Sequence, residues 1–158
     1  MRSLALLLTL AGACAAGVLD PAGSDGNSAG ADVAPEGQLR EYEQLANAHR
    51  AGVGCGPLQW DNRAGTVAQA HADDMVRRDY FSHTNPEGQS PFDRLRAAGV
   101  TYTAAAENIA YGYPTAAAVL QGWLNSDGHR RNLENCEYTH HGVGLNSGKW
   151  VEVFIRRV

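Results

Sequence analysis

The chain has no run of apolar residues long enough to cross a bilayer. Its longest, Leu4 to Leu10, is far shorter than the roughly 20 residues a spanning helix requires. It also has no basic cluster. The 13 Lys and Arg are outnumbered by 17 Asp and Glu, the formal net charge is −4, and Arg130-Arg131 and Arg156-Arg157 are only pairs. A nucleic-acid partner, which would need a basic face, is therefore not expected. Cysteine is scarce, three in 158 residues, and no two stand in the Cys-x-x-Cys spacing of compact zinc sites. Ser126 lacks the Gly-x-Ser-x-Gly elbow of serine hydrolases. No internal repeat is visible, and the length suits one domain with a respectable core rather than two with linkers.

What is present begins with an export signal. Arg2 precedes the apolar run, and small residues follow it. Two endings fit. Ala11-Gly12-Ala13 offers an Ala-x-Ala cleavage site and a secreted product. Ala11-Gly12-Ala13-Cys14 resembles a lipobox, which would acylate Cys14 and make a cell-envelope lipoprotein touching the membrane only through its acyl chains. Lipidation of Cys14 would account for the odd cysteine and leave Cys55 and Cys136 as a disulfide pair. That bridge would close a loop of about 80 residues and contribute about 4 kcal/mol in the chain-entropy model. Gly, Ala, Ser, Asp and Pro dominate from Ala15 to Gly37, with too few large apolar side chains to offset ordering entropy. The expected organisation is an export signal over 1–14, a flexible tether over 15–37 and a folded domain over 38–158.

Within the domain, Leu39, Tyr42, Leu45 and Ala46 recur at helical spacing to about His49. Asp61 is a good N-cap for a second helix to about Asp79, with an inner stripe of Ala64, Val67, Ala68, His71, Ala72 and Met75. His71 on that stripe reads as a buried, hydrogen-bonded core residue. Ser90-Pro91 opens a short third helix that ends at Gly99, and Thr101 to Thr103 suits a short strand or extended segment. Thr115 caps a fourth helix with Ala116, Val119, Leu120 and Trp123 inward. Two strands, His141 to Leu145 and Lys149 to Val158, are joined at Asn146-Ser147-Gly148 as a hairpin. The last strand alternates apolar residues on both faces, so both faces should be covered. His140-His141 reads as a partly exposed pair at the strand entry, with a metal ligand or a protonation switch as the alternative.

Three stretches carry chemistry: Phe81-Ser82-His83-Thr84, Glu107-Asn108-Ile109-Ala110, and Trp123 through Ser126-Asp127-Gly128-His129. In this order, with Gly142-Val143-Gly144 following, they resemble the signature of the CAP superfamily in its compact bacterial form. These secreted domains are named after cysteine-rich secretory proteins, antigen 5 and pathogenesis-related 1. The resemblance spans Gln38 to Phe154. It implies an α+β fold, a three-layer α-β-α sandwich around a small central antiparallel sheet, and a cleft lined by two histidines and two acids. His83 and His129 match the histidines and Glu107 one acid. Where eukaryotic members carry the second Glu, three residues after the helix tryptophan, this chain has Ser126.

Two imidazoles and a carboxylate suit Zn²⁺, and three ligands, His83, Glu107 and His129, would leave a position open for water. With Ser126 in place of the second Glu, such a metal would be weak or facultative. The same side chains also read as a hydrogen-bond network pinning loops to the sheet. A catalytic version takes two forms, both hydrolytic and acting on peptides or cell-wall material. In one, Glu107 is the base for metal-bound water. In the other, Ser126 is the nucleophile, His129 its base and Glu107 the orienting acid, although Ser126 reads equally as a polar residue at a helix C-terminus. The competing class is a binding module. The resemblance implies sterol and lipid binding and extracellular interactions, as in eukaryotic members, and Tyr111, Tyr113 and Trp150 around a groove would suit a glycan or lipid headgroup. The expectation is a monomer that meets a lipid, glycan, peptide or protein outside the cell.

Overall fold

The computed structural model describes residues 35–158, so the export signal, Cys14 and nearly all of the expected tether lie outside the described residues. The elements run α1 (Pro35–Gly52), β1 (Gln59–Trp60), α2 (Asn62–Arg77), α3 (Pro91–Ala97), β2 (Ala104–Tyr111), α4 (Ala116–Leu124), α5 (Asp127–Leu133), β3 (His140–Asn146) and β4 (Lys149–Arg156). Strand order is β1-β3-β4-β2. The three long strands are antiparallel, as expected, and the two-residue β1 adds a parallel edge to β3.

The three-layer sandwich follows from β4, whose side chains alternate between two cores. Val151, Val153 and Ile155 pack with Ala64, Val67, Ala68 and Met75 of α2 and Leu95 of α3. Trp150 and Phe154 pack on the other face with Tyr42 of α1, Trp123 of α4 and Leu133 of α5. Both faces are covered, as the alternating pattern predicts. The β3–β4 turn is Ser147-Gly148, both at positive φ (47° and 75°), the conformation that matches strand twist in a two-residue hairpin.

Four local expectations change. α1 begins at Pro35, three residues before the expected boundary, with Glu36 in its first turn beside the free N–H groups. The strand lies at Ala104–Tyr111 and not at Thr101–Thr103; its alanines carry little strand propensity, and pairing with β4 decides. Ser126 is not at the C-terminus of α4. It precedes a further helix, α5, as its N-cap residue. His141 is wholly buried, not partly exposed.

α2 lies directly on β3 because that strand presents Gly142 and Gly144. A Cβ on Gly142 would stand 2.0 Å from Gly65 N, and one on Gly144 2.4 Å from Gln69 N. From this close approach the Gln69 amide clips the strand edge: Leu145 N–H donates to Oε1 (3.0 Å) and Nε2 donates to Leu145 O (3.1 Å). The Cys55–Cys136 disulfide ties the loop after α1 to the segment after α5. Beside it the buried Arg50 donates to the carbonyls of Gly56, Leu133, Asn135 and Tyr138.

Candidate functional site

Glu107 is delivered by β2, the edge strand, with its side chain on the α2/α3 face. Its carboxylate is divided between two partners. His83, from the loop after α2, donates through Nδ1 to Oε1 at 2.8 Å, and Arg94 of α3 donates through Nη2 to Oε2 at 2.7 Å. Arg94 also donates from Nη1 to the carbonyls of His83 (2.9 Å) and Gln89 (3.1 Å), so one guanidinium holds both the carboxylate and the loop carrying the histidine. The Glu107 side chain is 1 % exposed, whereas that of His83 is 48 % exposed, so the imidazole faces the outside from a buried anchor.

His129 approaches from the opposite face. Asn108, the next residue on β2, points the other way and donates to the His129 carbonyl at 3.1 Å, while Asn132 donates to the Asn108 side chain at 2.8 Å. The His129 ring sits with Nδ1 2.9 Å from Ser126 Oγ. Burial, and then the nearby charge of His83, hold the His129 imidazole below its ordinary pKa. The neighbours Glu107 and Asn108 of β2 thus hold the His83 ring and the His129 backbone, and among the described residues no hydrogen bond reaches Nε2 of either imidazole.

The structure therefore brings His83 to Glu107 and Ser126 to His129, as two pairs. It does not join Glu107 to His129, so the relay Ser126–His129–Glu107 is not assembled. Nor is the three-ligand set gathered: among the described residues no group of three His, Cys, Asp or Glu stands at metal spacing. Arg94 and the Asn108–Asn132 bridge were not anticipated. Asn108 carries a readable signal, a polar residue in a strand with both faces covered, whereas Arg94 is one of several arginines in a short helix. Of the expected groove aromatics, Trp150 is wholly buried and donates to Tyr113 O at 3.0 Å. Tyr113 and Trp150 border a separate concavity of about 620 Å³ that contains none of the motif residues. Tyr111 alone stands at the surface, beside Phe81.

His71 is buried as expected and supports the site from beneath, its Nε2 donating to the Ser82 carbonyl at 2.9 Å. Burial pushes its pKa down, against the pull of the Glu107 charge. The unfolded chain takes up a proton here near pH 6.5, before the folded state does, so stability falls as pH drops through that value. We expect the denaturant midpoint to decrease between about pH 7 and pH 5, with an NMR titration midpoint for the His71 ring below the ordinary histidine value. A ring that titrates at the ordinary value would contradict this.

Residues 43–154 match the model of the Cys-rich secretory protein family, CAP, and the chain belongs to that family. It is 43 % identical over 118 residues to the uncharacterized protein YkwD of Bacillus subtilis, covering 73 % of this chain and 46 % of that one. To the uncharacterized membrane protein YlbC of the same organism it is 42 % identical over 118 residues, covering 75 % of this chain and 34 % of the relative. The chain thus spans less than half the length of these curated relatives. Among solved structures, an extracellular protein containing an SCP domain from Bacillus anthracis superposes with a TM-score of 0.76 at 38 % identity, over 78 % of this chain and 41 % of that one.

Proposed function

We propose that this is an exported CAP-domain protein whose cleft along the β2 edge binds an extracellular ligand, with His83 and His129 as facultative holders of a divalent metal. The observation that carries the reading is the use of Nδ1 in both rings. Glu107 engages that atom in His83 and Ser126 engages it in His129, which leaves both Nε2 atoms available. Orientation of an imidazole through its second nitrogen by an oxygen partner is the arrangement that metal-ligating histidines use. The donor set fits Zn²⁺ only in part. Glu107 is already shared between His83 and Arg94 and would act as an outer partner, so two protein nitrogens make a weak site. A bound Zn²⁺ would supply positive charge to polarise a ligand oxygen.

Export rests on the Arg2–Leu10 signal pattern and on the extracellular relative. Acylated Cys14 would keep the domain at the envelope, cleavage at Ala13 would release it, and the intact mass of the mature protein distinguishes the two. A hydrolase reading retains one observation, the Ser126–His129 contact. With Glu107 committed elsewhere, binding is the better supported function.

Calorimetric titration of Zn²⁺ into the chain from Ala15, wild type against His83→Ala/His129→Ala, tests the metal. The expected outcome is micromolar binding that the double variant loses. No heat in either protein, or equal binding in both, would remove the metal from this reading.

A further inference from the structure

We propose that the open edge of β2 takes an extended peptide segment as an added strand, between His83 and His129. This rests on the reading of the β2 edge as the ligand cleft but not on any metal there. β2 is the last strand of the sheet, paired on one side only. The bond from Gly112 N–H to Gly148 O (3.0 Å) continues the register in which the even-numbered residues exchange hydrogen bonds with β4. The main-chain groups of Ala105, Glu107, Ile109 and Tyr111 consequently point away from β4. Among the described residues, the single partner they find is the Trp123 indole, which donates to Ile109 O at 3.3 Å. Glu107 shows this openness directly. Its side chain is 1 % exposed while the residue as a whole is 8 % exposed, so what solvent touches is main chain.

An unpaired edge is normally blunted, and on the other side of this sheet β3 is covered by the two-residue β1 and the Gln69 amide. There Asp61 N–H donates to His141 O at 2.8 Å and the Gln69 amide satisfies Leu145. At β2 the Trp123 indole takes Ile109 O, and the outward main-chain groups of Ala105, Glu107 and Tyr111 and the Ile109 N–H are left without a partner among the described residues. Donors and acceptors repeating every second residue, about 7 Å apart, match a polypeptide backbone, and a glycan or a lipid headgroup offers no such repeat. Specificity then falls to side chains at alternate positions. At the Tyr111 end of β2, the rings of Phe81 (48 % exposed) and Tyr111 (61 % exposed) stand 6.2 Å apart and offer an apolar anchor.

The test uses the full chain and selects binders from phage-displayed random dodecapeptides. The best binder is resynthesised with a single N-methyl group at each position and measured by fluorescence polarisation, with and without EDTA. We expect N-methylation to weaken binding roughly three- to tenfold at alternate positions and hardly at all between them, the alternation a paired strand requires. Ala105→Pro deletes an outward N–H at an edge position where proline is tolerated, and a similar loss is expected with the thermal midpoint preserved. A selection that yields no peptide, an N-methyl profile without alternation, or wild-type affinity in folded Ala105→Pro would overturn the proposal. If Ala105→Pro does not fold, the N-methyl profile decides. Alternating sensitivity that persists in EDTA, with no zinc binding, leaves strand addition standing and removes the metal; zinc binding without any peptide does the reverse.

Discussion

Gly142→Ala is expected to abolish the native fold, or to cost more than about 3 kcal/mol if folded protein is recovered. The new Cβ would stand 2.0 Å from Gly65 N and 2.3 Å from Ala64 C, both backbone atoms of α2. No rotamer relieves such a clash. Restoring ordinary contact near 3.5 Å means moving the helix by about 1.5 Å. That shift would lift Val67, Ala68 and Met75 from Val151, Val153 and Ile155 and open the core across the whole α2 face. Gly128→Ala is the control, because a Cβ at that position meets nothing within 4 Å. In helix α5 it should be neutral or stabilise by up to about 1 kcal/mol. Urea titration of the two variants separates close approach from glycine content, and a wild-type midpoint for Gly142→Ala would refute the account.

Arg50→Ala carries the second large effect, a loss of about 4 kcal/mol. The side chain is wholly buried at the end of α1. Its guanidinium reaches Gly56 O (3.0 Å), Leu133 O (2.7 Å), Asn135 O (3.0 Å) and Tyr138 O (3.2 Å). Deleting it strands the carbonyls of Gly56, Leu133 and Tyr138, while Asn135 O keeps the Tyr138 N–H at 3.3 Å, and each unsatisfied buried group costs about 1–3 kcal/mol before relaxation and water entry. Burial lowers the Arg50 pKa and the Glu152 charge works against that shift. Glu152 in turn accepts from Tyr42 and His141. Arg50→Lys should recover little, since an ammonium has three donors and lacks the planar fork that spans two segments. The Cys55–Cys136 bond holds the same junction, so reduction and Arg50→Ala should combine non-additively in a double cycle followed by chemical denaturation. Additive losses, or an Arg50→Ala loss below about 1 kcal/mol, would refute the staple.

The sequence was legible wherever one residue's own chemistry decides. Asp61, Ser90 and Thr115 cap their helices as their side chains predict, and the β4 alternation announces two covered faces. It was illegible where a neighbour distant in the chain decides. β2 is written in alanine, and its existence depends on β4. α5 is a seven-residue helix containing a glycine, held by Leu133 in the core and by Asn132 on Asn108. His141 looks like half of an exposed pair until it meets Glu152, which Tyr42 also engages. At the site, His83, Glu107 and His129 could be named from motif spacing. Their grouping into two pairs on opposite faces of β2 could not, because it turns on the alternation of Glu107 and Asn108 and on Arg94 arriving from α3.

The Gln69 clip has a consequence for how copies of this domain can meet. Its side-chain amide imitates one peptide group of a further strand, and with Asp61 it takes the outward groups of His141 and Leu145 on β3. With only the two-residue β1 on that side, the sheet has one long live margin, and its pairing valence is close to one. Two such molecules joined margin to margin saturate each other, and no end is left for a third, whereas a fibre needs two live margins on every subunit. The geometry that leaves the β2 margin open to a visiting strand is thus opposed on the other side of the sheet by the two-residue β1, Asp61 and a single glutamine.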